Sequence, residues 1–272
     1  MITFPNAKIN IGLNIVEKRA DGYHNIETLF YPIPIKDALE FVPAAKTDKT
    51  SFHQSGIKID GDMESNLIIK ALRLLEKDFS IPSVDVYLEK AIPFGAGLGG
   101  GSSDAAFMLK MLNEYFNFHL SNSDLEYYAS TLGADCPFFI NNEPIFATGI
   151  GNIFEPVEFS LKGFHLVLVK PDIHVSTPLA YSLVTPQQAA YPIKEWIKRP
   201  ITEWKDRIVN DFEISVFSKY PEIENIKNVL YGKGALYASM SGSGSSVFGI
   251  FKEEIDMPDI FCDYYTFQGP FE

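Results

Sequence analysis

Cysteine is nearly absent from this 272-residue chain. Cys136 and Cys262 are too few for a disulfide framework and too far apart for a zinc spacing, so a reducing compartment is expected. Long apolar runs are missing as well: none approaches the roughly 18 residues of a membrane span. The opening MITFPNAKIN lacks the basic-then-apolar pattern of a secretory leader. The expected setting is cytoplasmic, with no membrane partner. Positive charge is the third shortage. The 23 Lys and Arg stand against 35 Asp and Glu, a net charge of −12 that argues against nucleic-acid binding by bulk electrostatics. A small phosphorylated ligand stays possible, because a few backbone N–H groups, one lysine and a metal ion can hold it.

What is present is an ordinary globular composition, 46% hydrophobic and 21% charged. At about 150 residues per domain the length gives just under two domains. Residues 9–16 and 23–35 read as strands around the turn Asp21-Gly22. SNLIIKALRLLEKDF (65–79) aligns Leu67, Ile68, Ala71, Leu72 and Leu75 on one helical face behind a Ser65 or Asn66 cap. SVDVYLEKAIP alternates Val84, Val86 and Leu88, as a strand does. A helix follows with Ala105, Met108, Leu109 and Leu112 buried, and then a second, SNSDLEYYASTL, ending at Gly133. Further on come turn-rich strands (144–159), a buried strand (163–171), a helix near 221–231 and the pair ALYASM and VFGIF around SGSGSS. Segment 185–205, which holds both tryptophans and three prolines, reads as a surface excursion. Strands and helices segregate too much for a βαβ repeat, so the fold class is α+β. The expected domains are 1–158 and 159–272.

Between the strand and the long helix lies PFGAGLGGGSSDAA (93–106). Gly95, Gly97 and Gly100 match G-x-G-x-x-G. A dinucleotide site, however, wants that turn in the first βαβ unit, with an acid about 20 residues on. Here the loop comes late, and Leu120 stands where the acid should be. The P-loop pattern G-x-x-x-x-G-K-[ST] is absent too. A glycine turn before a helix still cradles anions, because its N–H groups and the helix N-terminus add roughly half a positive charge. Ser102 and Ser103 at the helix start are candidates to cap it, to contact a phosphate or to reach a bridging metal.

This stretch resembles the ATP-binding motif of the GHMP kinases. The resemblance extends over nearly the whole chain through PNAKINIGLNI, KRADGYHNIETLF, LGADCPFF, NDFE (210–213) and SGSGSSVFG. It is narrowest toward the members that phosphorylate a CDP-linked methylerythritol in the non-mevalonate isoprenoid pathway. It implies an N-terminal ribosomal-protein-S5-like domain and a C-terminal ferredoxin-like α/β sandwich, with the active site in the cleft between. ATP is the implied co-substrate, with Mg²⁺. ATP would be bound by Pro93, Phe94, Gly95, Ala96, Gly97, Leu98, Gly99, Gly100, Gly101, Ser102 and Ser103. Asp135 would take up or orient the acceptor's hydroxyl proton, with Lys8 as its partner. Asn10, on the strand face of Lys8, would contact the substrate. Tyr23 and His24, with Tyr181 opposite, would hold the cytosine.

Asn66, with Lys90 nearby, is expected at the adenine pocket. No carboxylate cluster marks a metal cage. Asp104 departs from the asparagine many relatives carry; it is expected to point away from phosphate or to help hold Mg²⁺. The short C-terminal FCDYYTFQGPFE lacks a helix some relatives have, which leaves the oligomeric state open between monomer and weak dimer.

Overall fold

The computed structural model describes residues 1–44, 49–59 and 61–271. Its strands are β1 (Ile2–Thr3), β2 (Asn6–Lys18), β3 (His24–Lys36), β4 (Ala38–Pro43), β5 (Ser51–Gly56) and β6 (Val84–Lys90). They continue with β7 (Ile145–Thr148), β8 (Ile153–Pro156), β9 (His165–Lys170), β10 (Tyr237–Met240), β11 (Val247–Phe251) and β12 (Tyr265–Pro270). The helices are α1 (Leu67–Leu75), α2 (Gly100–Phe116), α3 (Asn122–Leu132) and α4 (Phe138–Asn141). After them come α5 (Thr177–Tyr181), α6 (Ile193–Trp196), α7 (Glu213–Lys219) and α8 (Pro221–Gly232).

The chain forms two compact units. Unit 1 comprises Met1–Ala7, Ile35–Phe94 and Gly99–Glu143; unit 2 comprises Lys8–Pro34, Gly95–Leu98 and Pro144–Glu272. The boundary expected at 158/159 falls inside unit 2.

Unit 1 is a sheet of order β1-β4-β6-β5 with α1 to α4. Its pairings are antiparallel except β5 with β6. The alternation in β6 turns Val84, Val86 and Leu88 inward, and Lys90 with them. Helix α1 starts where Asn66 Oδ1 accepts the N–H of Ile68 at 2.9 Å, and it buries Ile68, Ile69, Ala71, Leu72 and Leu75. It is shorter than 65–79, because a separate 3₁₀ turn, Met63–Ser65, precedes the cap. Helix α2 buries Ala105, Met108, Leu109 and Leu112, as the period demands. Helix α3 opens with a capping box between Ser121 and Asp124.

Unit 2 holds nearly all of the β2-β3-β7-β8 sheet and all of the β10-β11-β9-β12 sheet. Its core gathers Val167 and Val169 of β9, Val216 of α7, and Ile223, Ile226 and Leu230 of α8. Strands β10 and β11 form a hairpin with Met240 opposite Val247, so SGSGSS is its turn. Segment 185–205 is a surface excursion only in part: most of it is exposed, but three side chains anchor it. Trp204 is fully buried and meets the Tyr237 ring edge-on at 5.5 Å, while Ile193 is buried too. The prolines shape the segment's turns, but these side chains pin it into the core.

Candidate active site

In unit 1, β6 runs into the glycine stretch and α2 runs out of it. The serines do not cap α2. The helix begins at Gly100, and its N-cap is Gly99 at φ 70° with no side-chain cap bond. Ser102 and Ser103 therefore lie inside the first turn, whose leading N–H groups have no intrahelical partner, while the Ser103 N–H already donates to the Gly99 carbonyl at 2.9 Å. Ser102 Oγ donates to Asp135 Oδ1 at 2.8 Å. Ser103 Oγ is buried without a partner among the described residues. Asp135 is half-buried in the turn between α3 and α4. Burial, and then the adjacent Asp135 carboxylate, push the Cys136 thiol up to about 12, so that thiol stays protonated.

A pocket of about 530 Å³ opens in the same unit, lined among others by Asn66, Leu67, Lys70, Phe94, Gly101 and Asp104. Asn66 thus lines this pocket. Lys90 is not at the pocket: it is fully buried and paired with Asp37 and Asp104. Asp104 pairs with that buried lysine at 2.7 Å and also lines the pocket.

In unit 2, Gly95–Leu98 forms the loop apex. Ala96 and Leu98 are buried, so they offer a ligand only backbone. Gly97 has to be glycine: it sits at φ 77°, and an added Cβ would lie 1.9 Å from the carbonyl oxygen of Ser241. Lys8 in β2 is buried, with Nζ donating to Asn10 Oδ1 at 2.6 Å and to the Gly97 carbonyl at 3.2 Å. Its ammonium also lies 4.9 Å from the centre of the Phe30 ring. Asn10 Nδ2 donates to Thr28 Oγ1 at 3.0 Å, so both polar ends of that amide help to orient Lys8.

The RADGYH turn is tied by Arg19 to Asp21, whose Oδ1 also accepts the Tyr23 N–H at 3.1 Å. Tyr23 is 62% exposed. His24 stacks on Tyr181 with ring centres 4.4 Å apart and planes 22° apart. Partial burial first, then Lys18, hold the imidazole below its usual range. Tyr181 is fixed in turn by the edge-on Phe212 ring at 4.7 Å.

Sequence reasoning missed several supports. Asp37, beside Lys36 and three residues before Glu40, gave no signal. NDFE gave one without a role. Asn210 Nδ2 donates to the carbonyls of Met240 and Gly242, both at 2.8 Å, and Glu213 Oε1 accepts the Met240 N–H at 2.9 Å.

Residues 66–143 match the GHMP kinases N terminal domain, and residues 194–263 match GHMP kinases C terminal. A 4-diphosphocytidyl-2-C-methyl-D-erythritol kinase of Bacteroides fragilis is 61% identical, over 96% of this chain and 98% of the relative. One of Parabacteroides distasonis is 58% identical over 99% of both. A crystal structure of 4-(cytidine 5'-diphospho)-2C-methyl-D-erythritol kinase superposes with a TM-score of 0.77 at 33% identity, over 92% of this chain and 90% of that one. Agreement of this extent shows that the chain belongs to the GHMP kinases, within the family that these 4-diphosphocytidyl-2-C-methyl-D-erythritol kinases form.

Proposed function

We propose that this kinase transfers the γ-phosphoryl group of ATP to the 2-hydroxyl of 4-diphosphocytidyl-2-C-methyl-D-erythritol and releases ADP, a step of the non-mevalonate isoprenoid pathway. The observation that carries the reading is the extent of the agreement. Identity of 61% over 98% of the relative includes the acceptor side of the molecule as well as the phosphate loop. A cytoplasmic setting belongs to the same reading, since both cysteines are unpaired.

Phosphoryl transfer through a loose transition state needs alignment and charge neutralisation more than covalent chemistry. The glycine loop and the first turn of α2 would hold the triphosphate through backbone N–H groups. Lys8, steadied by Asn10 and the Gly97 carbonyl, would supply a fixed positive charge for the oxygens that gain charge. Asp135, steadied by Ser102, would accept or orient the acceptor's hydroxyl proton. Tyr23 and the His24–Tyr181 stack would present aromatic surface to the cytosine. The base would meet that stack from outside, because 4.4 Å leaves no room for a base between its rings. Asn10 Oδ1 keeps a second lone pair for the substrate.

Among the described residues no group of three or more His, Cys, Asp or Glu side chains suits a metal. Mg²⁺ would then come with ATP, held by phosphates and water, with the Ser102 oxygen as the ligand this chain adds. Its contribution is neutralisation of phosphate charge.

The test is ADP release from MgATP with this CDP-linked alcohol, beside homoserine, mevalonate and no acceptor. Turnover confined to the CDP-linked alcohol is expected. Turnover with another acceptor instead would retain the kinase and discard the cytosine site.

A further inference from the structure

Lys90 is fully buried, and the reading above gives its charge no task. Its Nζ pairs with Asp37 Oδ2 and, at 2.7 Å, with Asp104 Oδ2. Asp37 makes a second set of bonds, since its Oδ1 accepts the N–H groups of Ala91 and Ile92 at 2.7 and 2.8 Å. Those two residues precede the glycine stretch. Asp104 lies in the helix that follows it. One buried cation therefore joins the chain entering the loop to the chain leaving it. Gly100 closes against the same cluster, where an added Cβ would lie 2.8 Å from Ile92 Cγ2 and 3.0 Å from Lys90 Nζ.

Such a cluster is not an economical way to gain stability. Two carboxylates against one ammonium leave excess negative charge away from water, and well-packed apolar residues often serve stability better. The strain shows in Asp104: burial raises its carboxyl to about 7, against the pull of Lys90. What charged hydrogen bonds add over apolar packing is direction. Direction is useful here because a phosphate cradle works only when its N–H groups are already aimed.

We infer that Asp37, Lys90 and Asp104 form a clasp that fixes the span between the two ends of the glycine loop and so sets its backbone for the phosphates of the nucleotide. They act through the loop, as positioning residues. Asp37 and Lys90 are not among the residues lining the pocket beside Asn66. The clasp rests on the loop's being the ATP phosphate site and is independent of which acceptor is phosphorylated.

Asp37→Asn keeps the oxygen that receives Ala91 and Ile92 but turns an amide NH₂ toward Lys90, which opens the clasp at one bond. Calorimetric titration of the whole protein should show MgATP bound about tenfold more weakly and adenosine within about twofold of the parent, as for loss of one coupling between neighbours. A purely structural defect would weaken both ligands alike. Adding Lys90→Gln restores an uncharged donor-to-acceptor chain, and the double variant should regain ATP affinity to within about threefold. Equal weakening of ATP and adenosine, or unchanged ATP affinity in folded Asp37→Asn protein, overturns the clasp. Should the single variant not fold, the double variant decides alone: near-parental ATP affinity supports the clasp, and a loss of about tenfold with intact fold overturns it. Failure of the parent to bind ATP would overturn the loop reading and the clasp together.

Discussion

Ser241 Oγ donates to the carbonyl oxygen of Gly97 at 2.8 Å, and Lys8 Nζ donates to that same oxygen at 3.2 Å. Ser241 Oγ also accepts the Asn10 N–H at 3.2 Å. One hydroxyl thus ties the apex of the glycine loop to the strand carrying Lys8. Asn210 holds the hairpin from behind through the carbonyls of Met240 and Gly242, on either side of Ser241. The NDFE segment is therefore a support for the hairpin that holds the loop apex.

That packing makes Gly97 and Gly101 unequal. Gly97→Ala forces a side chain onto a positive φ and into a carbonyl 1.9 Å away. A cost of about 2 kcal/mol or more is expected, a fall in Tm of roughly 5 °C. At Gly101 the nearest atom to an added Cβ is 3.6 Å away, and the position is helical. Gly101→Ala should hold or raise Tm, because alanine favours the helix. Thermal melts of the two variants side by side check this, and equal losses would contradict it.

Asp135→Ala should lower turnover by about a hundredfold or more while leaving ATP affinity within about threefold. Ser102→Ala keeps the carboxylate but frees its rotation, so a smaller loss of about tenfold is expected. ADP-release assays with parallel ATP titrations measure both. Turnover of Asp135→Ala within tenfold of the parent would remove this carboxylate from the chemistry.

The aromatic pair should govern the acceptor alone. Tyr181→Ala and Tyr23→Ala should each raise the KM for the CDP-linked alcohol about tenfold, the scale of one base–aromatic stack, with the KM for ATP unchanged. Tyr181→Phe keeps the ring face and should stay near the parent. Parallel rises in both KM values for the alanine variants would end the stacking assignment.

These particulars also show what the sequence could carry. The stripe of α2, the Asn66 cap and the SGSGSS turn were legible because helix period, cap chemistry and hairpin turns are local. The alternation that turned Val84, Val86 and Leu88 inward also sent Lys90 there; reading two residues further along the strand predicts a buried lysine in need of carboxylates. Ser102 and Ser103 misled because Gly99 takes the left-handed conformation that ends the loop, and so the helix starts earlier. Trp204 and the Ser241–Gly97 contact were beyond reach, since each depends on chain segments brought together only by folding.

Asp104 gives the pH prediction its sign. Burial raises its carboxyl to about 7 in the folded protein, Lys90 pulls it back down, and the like-charged Asp37 pushes it up. The unfolded chain loses this proton near its ordinary value of 3.8, so between there and about 7 the folded state binds more protons than the unfolded one. This group's contribution to stability is therefore complete in acid and declines as the pH rises through that window. Asp104→Asn removes the titration and leaves Lys90 facing one carboxylate and a neutral oxygen. Urea unfolding at about pH 5 and about pH 8 should show the parent losing stability relative to the variant at the higher pH. A stability difference that is the same at both values would mean that Asp104 is ionised throughout, with Lys90 fully offsetting its burial.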